Sequence, residues 1–120
     1  MKPGQVVDLY DPANLLDPKL VAEIRFRAPA RPGADEPLDL AILVVDAAAD
    51  IALLLRTYRA RLKPAGGIWL VTPKRGRPGY IRGEDLIPVG LSERLVDNKV
   101  CSVSEELSGM RFVIRREERR

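Results

Sequence analysis

Apolar positions fall along this chain in blocks of changing period, and each change of period marks an element. Residues 5–10 (QVVDLY) are short and β-branched, and Asp11-Pro12 behind them signals a turn, so a first strand is expected there. Residues 21–27 (VAEIRFR) set Val21, Glu23 and Arg25 against Ala22, Ile24 and Phe26, the alternation of a strand with one face more exposed. Only about ten residues separate the two, which is little for a parallel crossover. Pro18 restricts any helix near residues 14–20 to a very short one, and the order of these first two strands in a sheet stays open.

Residues 28–37 (APARPGADEP) have three prolines and no period, and read as a loop. Residues 38–45 (LDLAILVV) end in six continuous apolar positions, as in a strand buried on both faces of a parallel sheet. Asp50 is placed to cap a helix in which Ile51, Leu54, Leu55, Tyr58 and Leu62 recur at helical spacing, while Arg56, Arg59, Arg61 and Lys63 keep mostly off that stripe. Pro64 and Gly66-Gly67 end it, and residues 68–71 (IWLV) form the next buried strand, completing a right-handed βαβ unit.

Residues 83–87 allow about one helical turn before Pro88 and Gly90. Two late strands follow, near 92–103 and 110–116, and residues 104–109 close them into an antiparallel hairpin. In the second of these, Met110, Phe112 and Ile114 share one face. The pattern therefore predicts a single small α/β domain over 1–116, Rossmann-like, with a mostly parallel sheet, a C-terminal antiparallel hairpin and a frayed basic tail at 117–120.

Composition narrows the chemistry. A chain of 120 residues, 46% apolar and 31% charged, suits one folded domain with a real core. With no run of eighteen apolar residues and no secretory leader pattern, a cytoplasmic location is expected and no membrane partner. Cys101 is the single cysteine and there is no histidine, which excludes Cys/His metal sites and Cys-His nucleophile pairs. Cys101 itself reads as a small buried apolar residue, and Trp69, between Ile68 and Leu70, as core.

Charge is local. The loop 73–82 carries Lys74, Arg75, Arg77 and Arg82 with no acid, which exceeds the net charge of +3, so the remainder sums to −1. Within it, Arg-Gly-Arg-Pro matches the core of minor-groove AT-hook peptides, which work because extended Arg-Gly-Arg fits a narrow groove. One copy would bind nucleic acid or another anion weakly and salt-sensitively; the alternative is a solvated strand-to-helix loop. A second candidate is the rim at the carboxyl ends of the strands, where open α/β sheets bind ligands. It would comprise Asp11, Asn14, Asp46, Asp50, Thr72 and Lys74, unless Asp50 and Asn14 merely cap helices and Asp46 merely ends a strand.

The run LDLAILVV, helix, LKPAGGIWLVTPK and the terminal hairpin resemble the second half of a class I methyltransferase. That resemblance implies a topology and a S-adenosylmethionine site, but the chain departs from the pattern at the site. The turn after the first strand, Leu9-Tyr10-Asp11-Pro12-Ala13-Asn14, has no glycine, and the second segment ends Phe26-Arg27-Ala28-Pro29 without an acid for the ribose. Asp46-Ala47-Ala48-Ala49 lacks the Asp/Asn-Pro-Pro-aromatic element of amino-methylating enzymes.

Lys2-Pro3-Gly4-Gln5, the run from Gly67 to Lys74 (GIWLVTPK), Gly90-Leu91, LVDNKVC from Leu95 and SGMRFV from Ser108 resemble a second family of small bacterial proteins, domain of unknown function 3052. Its members often have an aromatic residue where this chain has Leu107. That resemblance implies the same degenerate methyltransferase-like Rossmann fold and no particular activity. The expectation is a non-enzymatic binding or interaction module without a cofactor or metal, and a homodimer or protein partner that covers sheet surface a short chain leaves bare. The alternatives are nucleic-acid or phosphate binding through the loop 73–82, and a small-molecule enzyme or sensor using the strand-end rim.

Overall fold

A computed structural model describes residues 4–28 and 31–118. Lys2 and Pro3 of the quoted resemblance, Pro29 and Ala30 of the loop, and Arg119 and Arg120 of the tail lie outside them. Nine elements follow in order: β1 (Val7–Tyr10), α1 (Pro18–Arg27), β2 (Leu38–Val44), α2 (Ile51–Arg59), β3 (Leu62–Pro73), α3 (Gly83–Ser92), β4 (Leu95–Ser102), β5 (Leu107–Ile114) and a 3₁₀ turn (Arg116–Glu118). The sheet order is β1-β2-β3-β5-β4. β1, β2 and β3 run parallel, and β5 runs antiparallel to both β3 and β4. The expected α/β domain with a C-terminal hairpin is what the chain forms.

The segment 21–27 is the main correction, because it is helix and not strand. Asp17 caps α1 by accepting from the Lys19 N–H at 2.8 Å, and Pro18 stands at the first helical position, where a missing N–H costs nothing. Pro18 thus starts the helix that it was expected to interrupt. Ile24 and Ala28 are buried and Leu20 and Val21 half-buried, a helical stripe that outweighs the two-residue alternation. With α1 as the crossover, β1 pairs directly with β2, Val7 opposite Leu40.

Other boundaries shift for identifiable reasons. α2 ends at Arg59, and Leu62 belongs to β3, paired with Leu38. Pro64 and Gly66-Gly67 therefore lie inside β3, beside a register irregularity between Leu38 and Leu40. α3 runs the full ten residues from Gly83 to Ser92 with Pro88 inside it. Pro88 forfeits one helical hydrogen bond, yet Leu86 and Gly90 are buried against the sheet and hold the helix in place. Glu118 pairs with Arg94 and, at 3.6 Å, with Arg59, so the folded part reaches at least Glu118.

Two apolar layers flank the sheet. On one face α2 and α3 pack Leu55, Tyr58 and Leu86 onto Leu43, Ile68, Leu70, Leu95, Met110 and Phe112. On the other face α1 and the turn before it place Leu16 and Ile24 against Val7, Ile42 and Val44. This second layer stops partway across the sheet.

Candidate functional site

The rim at the carboxyl ends of β1, β2 and β3 is built from turns that bond to themselves. Asp11 accepts the Leu15 N–H at 2.9 Å and the Leu16 N–H at 3.0 Å, so its carboxylate organises the connection into α1. Asn14 sits at φ 54°, a left-handed position that Asn tolerates. Asp46 accepts the Ala48 N–H at 2.9 Å, and Asp50 caps α2 through the Leu53 N–H at 3.1 Å. Thr72 is buried within β3 opposite Ser108, and Lys74 turns away to Ser102, Nζ to Oγ 2.6 Å. Asp11, Asn14 and Asp46 follow β1 and β2 at the carboxyl end of the sheet, the same end at which β3 finishes with Thr72-Pro73 before Lys74.

S-adenosylmethionine does not fit these residues. The turn after β1 has no glycine and is held by hydrogen bonds to the Asp11 carboxylate, and the segment expected as the strand that would offer an acid to a ribose is helix α1. The crevice between the β1 and β2 ends, lined by Tyr10, Pro12, Val45 and Asp46 among others, has a volume near 230 Å³. Sites for ligands of that size class run from roughly 300 to 1,000 Å³. Among the described residues no group of three or more His, Cys, Asp or Glu is placed to hold a metal ion.

The loop 73–82 is folded into two consecutive tight turns. The Arg77 N–H donates to the Lys74 carbonyl at 3.0 Å across Arg75-Gly76, and the Tyr80 N–H to the Arg77 carbonyl at 3.2 Å across Pro78-Gly79. Gly76 at φ 85° and Gly79 at φ 83° occupy the third position of each, where a type II turn requires positive φ. Gly79 also packs against Asp46, and its carbonyl accepts the Ala47 N–H at 3.0 Å, which fastens the loop to the β2–α2 turn. Arg-Gly-Arg-Pro is therefore not extended. Of the four cations, Arg82 pairs with Asp85 at 3.0 Å and Glu84 at 3.4 Å, Lys74 bonds to Ser102, and Arg75 and Arg77 stand exposed in solvent.

A concavity near 500 Å³ lies between the β2–α2 turn and residues 80–89, with Asp50, Tyr80, Arg82 and Asp85 in its lining, and another is on the sheet face that α1 covers only in part. A groove of about 340 Å³ runs between Leu20, Glu23 and Arg27 of α1 and the sheet residues Ile42, Trp69, Val71 and Cys101, with Val103 of the β4–β5 turn at its end. Residues directly opposite in paired strands share a face, so Trp69, Arg111 and Lys99 lie in one row and Val71, Gly109 and Cys101 in the next. This row arrangement corrects two expectations. Trp69 is half-exposed and lines the groove, and Cys101 is exposed, because no helix of the described residues lies over β4 on this side. Among Asp97, Asn98 and Lys99, all exposed, a bulge between Asp97 and Lys99 puts Lys99 on the groove side.

A polar cluster that the sequence pattern did not single out closes the β1 side of the other face. Arg61 donates to Asp8 at 3.0 Å and to the Gly33 carbonyl at 2.9 Å, with its guanidinium 5.5 Å from the Tyr58 ring centroid. Burial pushes the Tyr58 hydroxyl pKa up, and the nearby Asp8 carboxylate adds to it. Asp39 accepts the Val6 N–H at 2.8 Å and Lys63 Nζ at 3.2 Å; the backbone donor, then Lys63, hold its carboxyl below the usual range. These groups tie the loop 31–37 and the start of β1 to the sheet. Arg61 read as an outward helix position; its true role follows from α2 ending two residues earlier.

No protein-family model and no curated protein matches the chain. Solved structures do. A protein from Thermoplasma acidophilum assigned as a methyltransferase superposes with a TM-score of 0.68 at 6% identity, over 97% of this chain and 70% of its own. A TehB-like SAM-dependent methyltransferase from Corynebacterium glutamicum gives 0.60 at 14% identity, over 96% and 83%. The mitomycin 7-O-methyltransferase MmcR also gives 0.60 at 14% identity, but over 91% of this chain and 41% of its own. The fold is that of a methyltransferase-like Rossmann domain.

Proposed function

We propose that this chain is a non-enzymatic interaction module that has kept a methyltransferase-like sheet and uses its half-covered face to bind. The observation that carries this reading is the contrast between the crevice at the ends of β1 and β2 and the groove beside α1. The turns at the strand-end crevice commit their carboxylates to their own backbone, whereas the groove beside α1 leaves Trp69 and Val103 half-exposed above a floor that includes the buried Ile42 and Val71. An apolar floor walled by the charged Glu23 and Arg27 has the make-up of a small interaction surface. LVDNKVC and SGMRFV form β4 and β5, the strands on the open side, so we extend the reading to the family those segments resemble.

Two titrations test it. In dilute protein, where any self-association is reversed, an apolar fluorescent dye should bind the wild type and lose that binding in Val103→Glu. S-adenosylmethionine at millimolar concentration should give no binding heat, and saturable binding of it would overturn the reading.

A second reading, weak anion binding, rests on Arg75 and Arg77, which project from the sheet end without a side-chain partner among the described residues. Fixed turns hold the two guanidinium groups on a short loop, which suits a phosphate better than a groove-reading peptide.

A further inference from the structure

The groove has a natural occupant within the chain itself. Leu20, Val21 and Ile24 of α1, with Ala28 just beyond its end, face the sheet, and the opposite stripe of the same helix is Lys19, Ala22 and Phe26. Phe26 is 86% exposed, the most exposed large apolar side chain among the described residues. An aromatic ring in water on one side of the molecule and an apolar trough on the same side, next to the same helix, are complementary features that one chain cannot bring together.

We propose, resting on the interaction-module reading above, that the occupant is α1 of a second copy. A twofold axis lays the two α1 helices side by side and antiparallel between two sheets. Each helix then packs its inner stripe on its own β1 and β2 and its outer stripe, with Phe26, on the open half of the partner's sheet. Such an isologous interface uses the contact twice. The charges agree with this placement. Glu23 and Arg27 form the α1 wall of the groove, 3.2 Å apart on one helix. Antiparallel pairing across a twofold sets Glu23 of one copy against Arg27 of the other, twice, without a like-charge clash. On the sheet side, Arg111 and Lys99 lie in the same row as Trp69.

The test is the mass in solution, by light scattering after size exclusion, from low micromolar to ~100 µM, the range over which a dimer of micromolar Kd assembles. Wild type should reach twice the chain mass. Phe26→Lys and Cys101→Arg, each at an exposed position, should both stay monomeric with melting temperatures close to wild type. Phe26→Cys under a mild oxidant should yield a covalent dimer in which the peptide containing position 26 is joined to the peptide containing Cys101. A wild type that stays monomeric, a dimer indifferent to Phe26→Lys, or a covalent dimer joined only between the two positions 26 overturns the proposal. If the chain is monomeric yet the apolar dye still binds the groove, the second copy is excluded and the interaction-module reading stands; S-adenosylmethionine binding would instead remove that reading.

Discussion

The ring of Phe112 lies where a side chain at Gly90 would be. A Cβ at Gly90 would sit 2.3 Å from Phe112 Cε1, and Phe112 is fully buried at the centre of β5. Helix α3 can approach the sheet this closely only with its Gly90 bare. Gly90→Ala should destabilise the fold by about 1–3 kcal/mol, the usual cost of overpacking, despite the better helix propensity of alanine. Urea denaturation followed by circular dichroism measures it, and an unchanged midpoint would mean that α3 can slide away from Phe112.

Asp17 should matter out of proportion to its exposure. It supplies the cap of α1, so Asp17→Ala should cost about 1 kcal/mol and Asp17→Asn much less. If α1 were a strand, as alternation suggests, neither change would have a measurable effect.

Arg61→Met should lower stability by about 2 kcal/mol, because it removes charge-assisted bonds to Asp8 and the Gly33 carbonyl and leaves a half-buried carboxylate without its partner. Exchange of amide hydrogens in the loop 31–37 should rise in this variant, since Gly33 loses its anchor.

Replacing Arg75 and Arg77 with Ala should leave the melting temperature unchanged, as both are exposed and the turns depend on Gly76, Pro78 and Gly79. The wild type should bind A·T-rich and G·C-rich duplexes alike, weakly and only at low salt. A clear preference for A·T tracts in a salt-titrated mobility assay would contradict the folded-turn geometry.

Stability should fall on acidification. Hydrogen bonds from Val6 and Lys63 hold the Asp39 carboxyl below its ordinary pKa of 3.8, Arg56 does the same for Glu93 and Arg82 for Asp85. A depressed folded pKa contributes stability above the unfolded value, and that contribution is lost as pH drops through the folded one. Melting temperature should thus be flat near neutrality and decline below about pH 4. Asp39→Asn should flatten part of that decline. At the other extreme, the raised Tyr58 pKa contributes stability that is full below about pH 10 and is lost above it as pH climbs through the folded value.

Much of this architecture is legible in the residues, and the failures have physical reasons. LDLAILVV, the Asp50 cap and the alternation of Met110, Phe112 and Ile114 specify β2, the start of α2 and β5, because burial and capping act locally there. Residues 21–27 fit two periods at once, and what decides between them is Asp17-Pro18, a start signal lying just outside the window. The groove was not legible at Trp69 or Cys101, since side-chain type says nothing of whether a helix lies above. Phe26 reads as an ordinary apolar position, and only the direction of α1 reveals that it points away from its own sheet.

The sequence holds a single tryptophan, and the fold places it on the groove floor. Indole emission in this protein therefore comes from one address. Anything that settles over Trp69 will dry it and blue-shift its spectrum, so occupancy can be followed in real time, by stopped flow or in crude mixtures, with no label attached.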